Sequence, residues 1–240
     1  MVGFKLKEKM RYVMMVPYFD INLPRRWALL AHEVGHILWN HISSDTKEKV
    51  LSELRKMIIR LTREPKDALY YVSMWERCWL PELFADGVGV SIGGVAYTMQ
   101  FGNEVFCASP RSSWKYKDPY HPPPEVRIAL QLEILKQSDV WKEEFEYLRE
   151  EWKKFSHSAL DEELSYPFDR EILRFVNSAI IRITESVRVA TKFWNDVIKL
   201  KQSLREGKIA FHGPLLVYAI GVLGPDWEPP YEIYEAIAAG

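Results

Sequence analysis

The chain has little of what several protein classes require. Cys78 and Cys107 are the only two cysteines in 240 residues. They are too few for a disulfide framework and form no CxxC pair, so a reducing compartment is expected. Neither sign of charge dominates, because 32 Lys and Arg stand against 33 Asp and Glu, a formal net charge of -1. With no long basic run, a nucleic-acid-binding surface and a polybasic membrane anchor are both unexpected. Asn and Gln are sparse beside Lys and Glu, a bias found in heat-adapted proteins. Long apolar runs are scarce too. Phe84 to Phe101 approaches the length of a membrane span, but Asp86, Gly87, Gly89, Gly93 and Gly94 interrupt it and no cationic flank anchors it. A buried core helix is the expectation there, with no membrane span. Tyr12 to Val16 is too brief for the apolar core of a signal peptide, which points to the cytoplasm. No internal repeat or low-complexity tract is present.

What is there is a globular composition, 48% hydrophobic and 27% charged, long enough for one domain with a helical appendage. One stretch carries chemistry: Ala31-His32-Glu33-Val34-Gly35-His36-Ile37-Leu38, an HExxH motif. On an α-helix, residues four apart differ by roughly 40° of rotation, so His32 and His36 point the same way and can grip one cation. Glu33 sits about 100° round from His32, off the metal but close enough to act as general base toward water there. HExxH is short enough to arise by chance, so a third ligand is required. Leu30, Val34, Ile37 and Leu38 fall on the packing side of the predicted helix. Asp20 or Asn22 is the expected cap, Pro24 lies in its first turn, and the helix runs to about Asn40. His41 is on the wrong side to bind the same ion. Trp39 and Ile42 occupy the positions that HExxHxxGxxH would fill with Gly and His, which excludes that subclass.

After a charged amphipathic helix over Ser44 to Leu61 and an aromatic-rich one over Asp67 to Trp79, Pro81 is expected to open a new helix. It carries Glu82-Leu83-Phe84-Ala85-Asp86, an ExxAD pattern with both acids on one face. Glu82 can complete a His, His, Glu site, and Asp86 can accept from the free ring nitrogen of a ligand histidine, fixing its tautomer. The blander reading is a solvated helix start, where acids are favoured anyway. The glycines that follow form a small-residue face for close helix approach, with Gly35 as its counterpart. Cys78, one turn before Glu82, reads as core. Ser109 to Pro124 is a loop ending in His121-Pro122-Pro123-Pro124, and a helix with Arg127 in its first turn follows. His121 can donate to an oxyanion and Arg127 can hold a carboxylate, or the pair is simply a capped turn with a surface salt bridge.

Three separated segments, the HExxH at 32–36, the ExxAD at 82–86 and the HPP followed by Arg127, together resemble the gluzincin zinc peptidases. The order most resembles the branch of bacterial heat-shock membrane peptidases and CAAX-prenyl endopeptidases. The resemblance spans roughly Arg11 to Gln137. It implies one Zn2+ per chain held by His32, His36 and Glu82, Glu33 as general base and acid, and a zincin-like helical core. It also implies an extended peptide lying against an edge strand before the HExxH helix. Arg11 to Val16, ending at Pro17, is the one candidate strand, so Tyr12, Met14 and Val16 are the expected peptide-binding residues.

The remainder differs in character. Trp141, Phe145, Leu148, Trp152 and Phe155 step by four and three, as do Ile172, Val176, Ala179 and Ile183 in a helix predicted to run from Phe168 to Gly207. Pairing them as an antiparallel hairpin buries both seams, while a homo-oligomer or a helical partner is the other way to cover them. Gly213-Pro214 and Gly224-Pro225 set off two short terminal helices. The sequence therefore predicts a mainly α protein, with a zincin-like metallopeptidase core over 1–137 containing a minimal β element, and a C-terminal helical region over 138–240. The function expected is metal-dependent hydrolysis of peptide or protein substrates. The competing expectation is a zinc-stabilised scaffold that binds partners through its C-terminal helices and hydrolyses nothing.

Overall fold

The computed structural model describes residues 28–108, 119–156, 170–188 and 191–206. The predicted strand with Tyr12, Met14 and Val16, the caps at Asp20 or Asn22, and the terminal helices lie outside these residues. The described part is mainly α, with no strand among the described residues.

Helix α1 spans Leu30–His41 and carries the HExxH residues. Its buried residues are Ala31, Gly35 and the expected Leu38, with Val34 partly buried against the same cluster as Leu38, while Leu30 and Ile37 are only half-buried. Gly35 is buried by its proximity to helix α4, Leu80–Ala108: a Cβ added at Gly35 would meet the Ala85 Cα and lie 2.9 Å from the Ala85 carbonyl oxygen. Only a glycine lets two backbones come so close. Phe84 and Val88 of α4 complete the contact, packing with Leu38, Ile42 and Ile183 in one buried cluster. Gly35 thus meets Ala85, and the glycines of α4 serve other purposes.

Helix α2 spans Ser44–Leu61, capped by Ser43, whose Oγ accepts from the Thr46 N–H at 3.2 Å. Helix α3, Pro65–Met74, passes into a π-helical segment, Trp75–Trp79, that leads directly into α4. Pro81 therefore starts no separate helix. A proline inside an α-helix clashes with the carbonyl four residues back, and the wider π turn just before it relieves that crowding. Trp75 and Trp79 fall on one side of that turn, edge to face at 5.2 Å and both fully buried. Cys78 packs at the margin of this core, half-buried.

Helix α4 is not straight. Gly94 has φ 54° and ψ -142°, a backbone that residues with a Cβ rarely adopt, and the chain changes direction there. No helix among the described residues is long and apolar enough to cross a membrane.

Helix α5, Pro124–Leu135, packs on α4, and the 3-10 turn Asp139–Trp141 leads into α6, Lys142–Ser156. Helix α7, Arg170–Thr184, buries Ile172, Val176, Ala179, Ile180 and Ile183 against α2, α4 and α5. It is not the near partner of α6 in a hairpin. The predicted long helix also ends early, in a 3-10 turn at Glu185–Val187 and an extended Arg188, before α8, Thr191–Arg205. Thr184 Oγ1 bonds the Ile180 carbonyl at 2.9 Å and Ser186 Oγ the Ile183 carbonyl at 3.2 Å. These hydroxyls bond carbonyls of the last turns of α7, which ends without proline or glycine. The Lys201 to Glu144 ion pair, 2.5 Å and largely buried, ties α8 to α6.

Candidate metal centre

Because α1 and α4 touch at Gly35 and Ala85, the polar residues flanking those positions face one another. His32 and His36 converge on Glu82: His32 Nε2 lies 3.0 Å from His36 Nε2 and 3.4 Å from Glu82 Oε2, and His36 Nε2 lies 3.3 Å from Glu82 Oε1. Among the described residues, these three are the group whose ligand atoms could hold one ion, all within 4.8 Å of one another.

The spacing tests the fit. Ligands about 2.05 Å from a tetrahedral ion are separated by about 3.3 Å, and the observed separations scatter around that value. The chemistry agrees. His32 Nδ1 lies 3.0 Å from Asp86 Oδ1, so its proton belongs on Nδ1 and its Nε2 lone pair faces His36 and Glu82. Two imidazole nitrogens and a carboxylate pointing inward at such distances need a proton or a cation between them. Imidazole and carboxylate donors together suit zinc and its neighbours better than calcium or magnesium.

Behind the three donors is a second set of polar groups. Asp86 is fully buried and takes both arms of Arg127, Nε to Oδ2 at 2.7 Å and Nη2 to Oδ1 at 2.8 Å. Arg127 also approaches Glu82 Oε2 at 3.4 Å. Its guanidinium lies 4.6 Å from the centre of the Phe101 ring. Arg127 is thus no surface salt bridge but the cation that makes burial of Asp86 tolerable. With neutral imidazoles, Glu82, Asp86 and Arg127 leave a net charge of about minus one, favourable for a divalent ion.

Burial alone would lower the pKa of His32, but hydrogen bonds to Asp86 and Glu82 outweigh it and raise it to about 9. Burial would raise Glu82; its bonds to His32 and His36 and the nearby Arg127 charge hold it well below the usual carboxylate range. Asp86 is held at about 2, its burial more than offset by the Arg127 charge and hydrogen bonds. A metal-free site therefore keeps a proton on His32 at neutral pH, and an incoming metal must displace it.

Tyr97 belongs to the same cluster although its sequence position gave no hint of it. Its hydroxyl donates to Asp86 Oδ1 at 2.6 Å and lies 3.3 Å from His32 Nδ1. Full burial, then the charge of Asp86, push its pKa well above the usual tyrosine value, so it stays a donor. Glu33 is exposed on α1, and His121 is exposed in the bend before α5. Neither is one of the three converging donors.

Compared with protein-family models, curated proteins and solved structures, the chain matches none of them.

Proposed function

We propose that this chain is a cytoplasmic metallopeptidase with a zincin-like core that hydrolyses peptide bonds with one Zn2+ held by His32, His36 and Glu82. The observation that carries the reading is the convergence of these donors at 3.0 to 3.4 Å on two helices fixed by backbone contact. Zinc, when bound, supplies Lewis acidity, polarising a carbonyl oxygen and acidifying water beside it. The chain supplies the rest. Glu33, adjacent to ligand His32 yet exposed, accepts the proton of the attacking water and delivers it to the departing amine nitrogen. Asp86 keeps the His32 proton on Nδ1, and Arg127 keeps Asp86 ionised. On this reading His121, open to solvent, donates to the developing oxyanion. Tyr12, Met14 and Val16, outside the described residues, remain the peptide-binding positions that the resemblance implies.

The test is Glu33→Gln in a peptide-library digest, with zinc content measured on the same sample. The three donors remain, so zinc should persist while cleavage falls at least about a hundredfold. Equal cleavage by both proteins would remove Glu33 from its role. Zinc-loaded wild type that cleaves nothing would favour the scaffold, in which the metal only stabilises the fold.

A further inference from the structure

The far half of α4 returns over the metal-binding residues, although in a continuous helix it could not. Tyr97 is 11 positions after Asp86, which at 1.5 Å per residue places it about 16 Å further along a straight axis. That is beyond the reach of a tyrosine hydroxyl, yet the two side chains bond at 2.6 Å. The departure occurs at Gly94, φ 54°. The ring then lies on the helix it came from. A Cβ at Gly93 would be 2.7 Å from Tyr97 Cβ, and one at Gly89 would be 2.6 Å from its Cζ. Any side chain at those two positions would occupy the trough. Phe101, one turn on, stacks at 6.1 Å from Tyr97 and covers the Arg127 guanidinium.

The turn is held from the C-terminal side. Around the place where a Cβ of Gly94 would sit are Trp194 Cη2 at 3.1 Å and Trp141 Nε1 at 3.3 Å. These indoles meet edge to face at 5.2 Å and are both buried. Residues of the C-terminal region therefore press on the backbone whose conformation aims Tyr97.

Building on the zinc-site reading, we infer that Tyr97 is a positioning residue for ligand His32, and that Trp141 and Trp194 hold it in place through Gly94. The hydroxyl bonds Asp86 and lies beside His32 Nδ1, so it limits rotation of both. His32 keeps its Nε2 toward His36 and Glu82. The C-terminal helices thereby become part of the metal centre without contributing a ligand.

The experiment is zinc competition against a chromophoric chelator with full-length wild type, Tyr97→Phe, Trp194→Phe and the double variant, alongside urea unfolding of each in EDTA. Tyr97→Phe keeps the ring in its trough and loses only the hydroxyl. Zinc affinity should fall about tenfold, by more than any change in metal-free unfolding midpoint explains. Trp194→Phe shortens the group pressed on Gly94, and should lower zinc affinity in the wild-type background but add little to Tyr97→Phe. A purely packing role would shift the unfolding midpoints and leave zinc affinity unchanged, overturning the inference alone. Wild type that binds no zinc would overturn both the inference and the site on which it rests.

Discussion

Replacing Arg127 by methionine is the most informative single change to the fold, because its cost follows from what it leaves behind. The guanidinium supplies two of the bonds to Asp86, at 2.7 and 2.8 Å, and Asp86 has no solvent exposure. Methionine keeps most of the volume and can lie along Phe101, so the cavity contribution is small. The stranded carboxylate dominates. Removing one partner of a buried pair typically costs about 3–5 kcal/mol. His32 can offset part of this by holding its proton more tightly against Asp86, which places the expectation near the lower bound, about 3 kcal/mol. For a chain of this length that is about 6–12 °C in Tm. The assay is urea unfolding in EDTA of wild type, Arg127→Met, Asp86→Leu and the double variant. Each single change should cost about 3 kcal/mol or more, and the double much less than their sum, because no buried charge is left alone. A loss below about 1 kcal/mol for Arg127→Met, or simple additivity, would mean that the pair is solvated and Asp86 does not depend on Arg127. Asp86→Ala would likewise strand Arg127, so it should lose stability as well as zinc affinity.

Two further outcomes follow from the same geometry. In EDTA, the raised pKa of His32, from 6.5 to about 9, stabilises the fold fully below pH 6.5, and this contribution is lost as pH rises through 9. Up to about 3 kcal/mol should disappear across that window in metal-free urea unfolding, and a flat profile there, or an unchanged one in His32→Gln, would refute the shift. Gly35→Ala sets a Cβ against the Ala85 backbone, so α1 and α4 must separate. About 2–3 kcal/mol of stability and most of the zinc affinity should go, whereas wild-type zinc binding in that variant would show that helix separation does not set the ligand distances.

The convergence of His32, His36 and Glu82 was legible in the sequence because it obeys helical arithmetic. His32 and His36 share a face of one helix, as Glu82 and Asp86 do, and both helices formed as their spacing required. The role of Arg127 was half legible. Its carboxylate partner was foreseen as a type, but not that the pair would be buried. Where local spacing stops governing, the reading failed. The conformation at Gly94 depends on indoles from distant segments, so neither the turn nor the reach of Tyr97 to Asp86 could be read from residues 94–97. The π turn at Trp75–Trp79 is a response to Pro81 in a helix held on both sides by packing, where propensity suggested a fresh start. The break after Thr184 falls where hydroxyls bond carbonyls of the last turns, with no proline or glycine to mark it in the sequence.

Every role proposed for this site depends on a single zinc held by His32, His36 and Glu82. The most direct test is equilibrium dialysis against buffered zinc with metal analysis, on wild type and on His32→Ala, His36→Ala and Glu82→Ala, each checked for fold by circular dichroism. One zinc per wild-type chain and none in any of the three folded variants is the predicted result. Full zinc occupancy in any two of them would contradict it.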